Sequence, residues 1–166
     1  MGIITELNLR LFGIPEARQT AMCSFSTIED ATETVVMALQ CGLALNRIEL
    51  ADTLQVCAIN SYSGTDLPEC PTLWVEMTGN AATDENDMAT FEELADAASQ
   101  INCATSPDDA ARIWRIRHDA LYAARALRPE SKGISTDVCV CRSHNYPIVS
   151  APFKKSSQQH PYEPHW

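Results

Sequence analysis

The residue types best able to do chemistry are gathered in one run, Arg112-Ile-Trp-Arg-Ile-Arg-His-Asp-Ala-Leu-Tyr-Ala-Ala124. Ser106-Pro107-Asp108-Asp109 opens it as a helix. Ser106 suits the N-cap, Pro107 the first helical position, and the two acids the positive helix end. At about 100° per residue, the surface neighbours of Arg117 are Ala110, Ile113, Trp114, Ala120, Leu121 and Ala124. The other charges, Arg112, Arg115, Asp119 and Arg125, fall toward the flanks or the back. Arg117 is thus presented from the apolar side, where an unpaired guanidinium would cost several kcal/mol. It needs an anion. That anion is either a carboxylate of the fold, with Glu49 and Glu76 as candidates, or the carboxylate of a ligand, which a guanidinium fork grips bidentately and a lysine does not.

The neighbouring groups are weaker candidates. His118 lies about a quarter-turn from Arg117 and reads as a structural hydrogen-bonding residue rather than a base. Asp119 points toward solvent, and Trp114 and Tyr122 read as packing. The order Arg-His-Asp is not a kinase catalytic loop, because the residues that should follow are missing. Cys139-Val-Cys141 with His144 suggests a metal site, but Cys-x-Cys-x-x-His lacks a fourth ligand and Cys139 falls on an expected strand, so no metal is assigned there. The chain has seven cysteines, an odd number. Cys23, Cys41, Cys57, Cys70 and Cys103 are scattered at mostly core-like positions and read as reduced thiols acting as small hydrophobes.

The elements that must position Arg117 follow from periodicity. Ile3, Thr5, Leu7, Leu9 and Leu11 alternate with more polar residues, predicting a strand that Gly13-Ile-Pro15 ends. Ala17 to Phe25 is a second strand, with Ala21, Cys23 and Phe25 on one face. Ser26-Thr-Ile-Glu29 has the form of a capping box, and a helix on Ile28, Ala31, Val35 and Leu39 stops at Gly42. Leu45 to Leu50 is a strand. Asp52 caps a helix to about Tyr62 that stops before Gly64, and Pro68 to Pro71 is a turn. Thr72 to Thr78 is a strand with Leu73, Val75 and Met77 on one face and Trp74 and Glu76 on the other. A helix on Met88, Phe91, Leu94, Ala95 and Ala98 leads to the Arg117 helix and a last strand, Gly133 to Val140. The pattern predicts an α+β fold with a mainly antiparallel sheet and helices on one face. The opposite face would carry Arg47, Glu49, Trp74, Glu76 and Asp137, either solvated or roofing a site.

Length and charge narrow the classes. The 166 residues suffice for one domain with a core. The net charge of −10 and the lack of a basic stripe argue against nucleic acid as a partner. No run reaches the roughly 20 apolar residues of a membrane span, and no targeting signal opens the chain. From Cys141 onward the apolar period is lost, so residues 141–166 read as a disordered tail.

Several motifs, in order, resemble the C-terminal domain of FAD-linked oxidases. They are Gly2-Ile-Ile-Thr-Glu-Leu-Asn-Leu-Arg-Leu11, Pro15-Glu-Ala17, Cys23-Ser-Phe25, Arg47-Ile-Glu-Leu50, Leu67-Pro-Glu-Cys-Pro-Thr-Leu-Trp-Val-Glu76, the Ile113-Trp114-x-x-Arg117-His118-Asp119-Ala120-x-Tyr122-Ala123-Ala124 run, and Lys132-Gly-x-Ser-Thr-Asp-Val-Cys-Val140. The similarity is strongest to the cytochrome-linked dehydrogenases of D-2-hydroxy acids. The resemblance implies a ferredoxin-like cap domain whose sheet covers flavin and substrate, and oxidation of a D-2-hydroxy acid such as D-lactate by hydride transfer to FAD, with an electron acceptor such as cytochrome c. It implies that Arg117 holds the substrate carboxylate. It also implies that Gly2, Ile3 and Ile4 close the flavin-binding domain near the cofactor, although an ordinary buried strand would explain them as well.

The resemblance also implies a divalent metal held by Gly-His-x-Gly-Asp-Gly-Asn-x-His and Glu-His-Gly segments. Neither occurs here, and the proline that should follow Val140 is Cys141. The expected organisation is therefore residues 1–13 as the terminal segment of an FAD-binding domain, 14–140 as a partial, incomplete cap domain, and 141–166 as a tail outside the family. Such a fragment would neither retain FAD nor turn over substrate alone, and its unpaired strands would favour self-association. A cytoplasmic, mitochondrial or peripheral-membrane location follows from the family. The alternatives are a non-catalytic interaction module that associates through an open sheet face, and an acidic domain in which Arg117 pairs with Glu49 or Glu76.

Overall fold

In this computed structural model, residues 3–11 and 13–130 are described. Strand β1 (Ala17–Phe25) leads to helix α1 (Ile28–Gln40), then β2 (Leu45–Ala51), α2 (Thr53–Ser63), β3 (Thr72–Gly79), α3 (Ala81–Leu94), β4 (Ala98–Cys103), α4 (Pro107–His118) and α5 (Ala120–Ala126). The four strands form one sheet in the order β2-β3-β1-β4, every neighbouring pair antiparallel. Without α2, α4 and α5 this is the split β-α-β of a ferredoxin-like fold.

Local chemistry sets the helix ends. Asp52 accepts from the Gln55 N–H at 2.8 Å and starts α2, and Gly64 closes it in the left-handed conformation at φ 63°, which glycine adopts without a Cβ clash. Ser106 accepts from the Asp109 N–H at 3.2 Å and starts α4, with Pro107 in the first turn. The cap of α1 falls one residue later than the capping-box pattern suggests. Thr27, not Ser26, accepts from the Asp30 N–H at 3.1 Å.

Two cores sandwich the sheet. On one face Ala21, Cys23, Phe25, Leu73, Val75 and Met77 pack with Ala31 and Ala38 of α1 and Met88 and Phe91 of α3. On the other, Met22 and Trp74 pack with Val56 and Ile59 of α2, Ile113 and Trp114 of α4, and Ala120 and Ala123 of α5. The α+β class and antiparallel sheet stand, but helices cover both faces rather than one. The reason lies in Trp74, which is fully buried and needs an apolar cover that only a second helical layer supplies. An interaction module with an open sheet face therefore lacks its surface among the described residues.

Other expectations need correction. Residues 3–11 form no regular structure, and Ile3 and Leu11 are 92% and 86% exposed. Alternation makes a strand only where an edge pairs with it, and no described strand pairs with this segment. Ala98 belongs to β4, not to the preceding helix. That short edge strand is disguised by its exposed Ser99 and Gln100. The helix of Arg117 is broken at Asp119, so the extrapolated face turns: Ala120 and Ala123 are buried, while Leu121, Tyr122 and Ala124 are exposed. Leu39 is half exposed, its place on α1 taken by Ala38. The expected Gly133–Val140 strand, Asp137, and Cys139, Cys141 and His144 lie outside the described residues.

Candidate functional site

The second sheet face carries a polar row under α4. Strand register places Arg47 opposite Glu76 and Glu49 opposite Trp74, while Thr20 and Met22 of β1 continue the same rows across β3. Between Leu45 and Arg47 the register shifts. Such a bulge lets consecutive residues aim the same way, and both Asn46 and Arg47 donate to Glu76.

Glu76 is buried and carries a full set of partners. Arg47 Nε donates to Oε1 at 3.2 Å and Arg47 Nη2 to Oε2, a two-pronged side-on grip, while Asn46 Nδ2 donates to Oε1. Burial alone would push this carboxyl up. The hydrogen bonds from Arg47 and Asn46, with the charges of Arg47 and Arg18, outweigh it and hold Glu76 below the usual carboxylate range. The Arg47 guanidinium also sits 4.0 Å over the centroid of the Trp114 ring, a cation–π contact between β2 and α4.

Arg117 lies one helical turn beyond Trp114 on α4 and is differently placed. Its Nη2 donates to Glu49 Oε2 at 2.7 Å, while its Nε is buried without a hydrogen-bond partner. In a guanidinium, Nε–H and one Nη2–H point the same way and form the side-on prong pair that matches a carboxylate. Arg47 fills both prongs with Glu76. Arg117 fills one, and the other is enclosed without a hydrogen-bond partner. Trp114 Nε1, Trp74 Nε1 and Thr20 Oγ1 are likewise buried without partners, so this face holds more donors than the described residues satisfy, which is uncommon in protein interiors.

The remaining candidates separate from this cluster. His118 is exposed, and among the described residues its side chain makes a tilted ring contact with Trp114, centroids 6.4 Å apart, instead of the expected hydrogen bond. Asp119 ends α4 and is half-buried. Gly2 is outside the described residues, and Ile3 and Ile4 are exposed, not in a buried strand. Sequence reading placed Arg47, Glu49, Trp74 and Glu76 on one face but missed Asn46, whose only signal is a polar residue next to Arg47 in an otherwise alternating strand.

The starts of α1, α2 and α4 do not fit the pyrophosphate of a flavin dinucleotide. Such a group seeks free N–H groups at a helix N-terminus. The starts of α1, α2 and α4 are each capped by their own side chain, from Thr27, Asp52 and Ser106, and α1 and α4 carry acids in the first turn. Nor do the described residues fit a divalent metal, since among them no three His, Cys, Asp or Glu side chains come together. What the face holds is one saturated arginine–glutamate pair and a second, singly bonded one, under an apolar cover.

The chain matches the family of FAD linked oxidases, C-terminal domain, over residues 14–160, and it belongs to that family. The match extends past Val140, where the quoted motifs end. The chain is 39% identical over 142 residues to "Probable D-lactate dehydrogenase, mitochondrial" of Danio rerio, covering 84% of this chain and 29% of that protein. It is 35% identical over 152 residues to "D-lactate dehydrogenase [cytochrome], mitochondrial" of Arabidopsis thaliana, covering 90% and 27%. The chain thus spans less than a third of these relatives. A solved structure titled alkyldihydroxyacetonephosphate synthase shares the fold, with a TM-score of 0.61 at 13% identity over 90% of this chain and 32% of that one.

Proposed function

We propose that this chain supplies part of the substrate-capping sheet of an FAD-dependent D-2-hydroxy-acid dehydrogenase of the D-lactate kind, and that Arg117 holds the substrate carboxylate. The observation that carries the reading is the half-filled fork of Arg117, with Nη2 on Glu49 and Nε buried without a hydrogen-bond partner. The names of the relatives supply the substrate class, a cytochrome as acceptor and a mitochondrial setting. No described helix is long and apolar enough to cross a membrane. Bound FAD would accept the hydride in such an enzyme. The described residues contribute carboxylate binding, orientation and the apolar wall of Trp74 and Trp114, but neither the cofactor's phosphate site nor a metal site. On this reading residues 1–13 abut the flavin-binding domain, and the described residues alone turn over no substrate.

The test is a chimera in which residues 2–140 replace the matching segment of a complete relative, followed by Arg117→Met and Arg117→Lys. Loss of a charge-assisted bidentate contact lowers kcat/KM by about 30- to 1000-fold, equivalent to about 2–4 kcal/mol, with flavin content unchanged. Lysine restores part of it, since a point charge lacks the fork. A second reading, in which Arg117 is a structural partner of Glu49, is favoured by their 2.7 Å contact. It expects flavin content and soluble yield to fall together with activity.

A further inference from the structure

We infer that Glu49 is the resident counter-ion of Arg117, which a ligand carboxylate must displace or share, and that Glu49 thereby sets how tightly this face holds a carboxylate. The inference rests on the reading of Arg117 as a carboxylate clamp.

The two arginine–glutamate pairs on this face differ in a way that points to it. Glu76 is buried, takes both side-on prongs of Arg47 and is held further by Asn46. It has nowhere else to go. The Glu49 side chain is 47% exposed, and among the described residues it accepts a single hydrogen bond, at 2.7 Å from Arg117 Nη2. Water can therefore take over that carboxylate at low cost when it swings away. Arg117 is the more enclosed partner, its side chain 29% exposed and its Nε fully covered, so the arginine stays while the glutamate moves. A side-on carboxylate needs Nε and Nη2 together. The first has no partner but is covered, so a ligand that reaches it must also shift the atoms over it, and Glu49 occupies the second. An incoming carboxylate therefore meets a negative charge at the atom it needs. Register puts Glu49 opposite Trp74 at the β2 edge, so it can release Arg117 without disturbing the buried Glu76–Arg47 pair.

This arrangement fixes the sign of the effect. Removing the charge of Glu49 while keeping its shape takes away the competitor and tightens carboxylate binding. If Glu49 served only to brace Arg117, the same change would weaken it.

The experiment uses the full chain at low ionic strength, titrated with D-lactate and followed by the arginine Nε–H resonances, for the natural protein, Glu49→Gln, Glu49→Asp and Arg117→Met, with thermal unfolding as a check of folding. Glu49→Gln is expected to bind about three- to tenfold more tightly, since a like charge at a half-exposed site is screened but not abolished. Added salt narrows the difference. Glu49→Asp keeps the charge and stays within about twofold of the natural chain, and Arg117→Met abolishes binding. Equal or weaker binding by a folded Glu49→Gln protein, with Arg117→Met still inactive in binding, overturns the inference and leaves the clamp standing. Binding that survives Arg117→Met, or no binding by either the natural chain or Glu49→Gln, overturns both.

Discussion

Replacing Arg47 by methionine tests the energetics of the polar row most directly. Glu76 is 3% exposed, and without Arg47 its charge is left with the Asn46 hydrogen bond and the charge of Arg18. Breaking a buried ion pair from one side costs about 3–5 kcal/mol. The Arg47 side chain is 39% exposed, so water reaches that side of the pair and the expected loss is nearer 2–3 kcal/mol at neutral pH. At this chain length each kcal/mol moves the unfolding midpoint by about 2–4 °C, so Tm should fall by about 4–12 °C. The pH dependence carries the more specific signature. In the natural protein the folded-state pKa of Glu76 is depressed, so the pair's stabilisation is present above the unfolded value, about 4.3, and is lost as pH falls through the folded value below it. In Arg47→Met, burial dominates and the folded pKa rises. A group with a raised pKa stabilises below its unfolded value and loses that stabilisation as pH rises through the folded one. Acidification from pH 7.5 to 5 should therefore narrow the gap between variant and natural protein. Calorimetry or circular dichroism melts at several pH values measure it. A gap that stays constant or widens on acidification refutes the argument that Glu76 is a buried charge held ionised by Arg47.

Two further outcomes follow from the same chemistry. Partial burial, a 3.0 Å hydrogen bond to Glu92 and the charge of Glu92 push the Cys103 thiol up to about 12, so Glu92→Gln should speed its alkylation by iodoacetamide at pH 8 severalfold, and an unchanged rate by mass spectrometry would contradict it. The exposed Ile3, Ile4, Leu7, Leu9 and Leu11 should drive concentration-dependent association, which Leu7→Glu with Leu9→Glu reduces; identical sedimentation profiles for the two proteins would count against it.

Much of the fold was legible because its signals are local. The caps of α2 and α4, the stop at Gly64, and the two faces of β1 and β3 follow from side-chain chemistry within a few residues. What failed depended on distant partners. Residues 3–11 alternate like a strand, but a strand needs an edge. Leu121 and Ala124 continue the Arg117 stripe only if the helix runs on past Asp119, and whether it does is decided by packing against α2, where Gln55 Nε2 donates to the Ala120 carbonyl at 2.9 Å. β4 was hidden because an edge strand needs only a few buried positions, here Ala98 and Ile101 against the α1–α3 core. The second helical layer was missed for a related reason. Arg47 and Glu76 read as too polar to bury, yet as a pair, with Asn46 brought round by a bulge, they go under a helix that neither could enter alone.

That pairing also explains why charge alone does not mark this face. Two arginines and two glutamates on one face sum to zero, so no electrostatic patch marks the place. The difference lies in saturation. Arg47 spends its side-on prongs on a glutamate that cannot leave, and this fixes the sheet to α4 through Trp114. Arg117, on that same helix, inherits a fixed position while its Nε lacks a hydrogen-bond partner beside a half-exposed glutamate. A rigid, saturated pair supports an unsaturated one, which on the proposed reading of Arg117 is how a ligand-binding group is held in position. The geometry thus gives the two arginines different surroundings, one saturated and one not, that their shared residue type conceals.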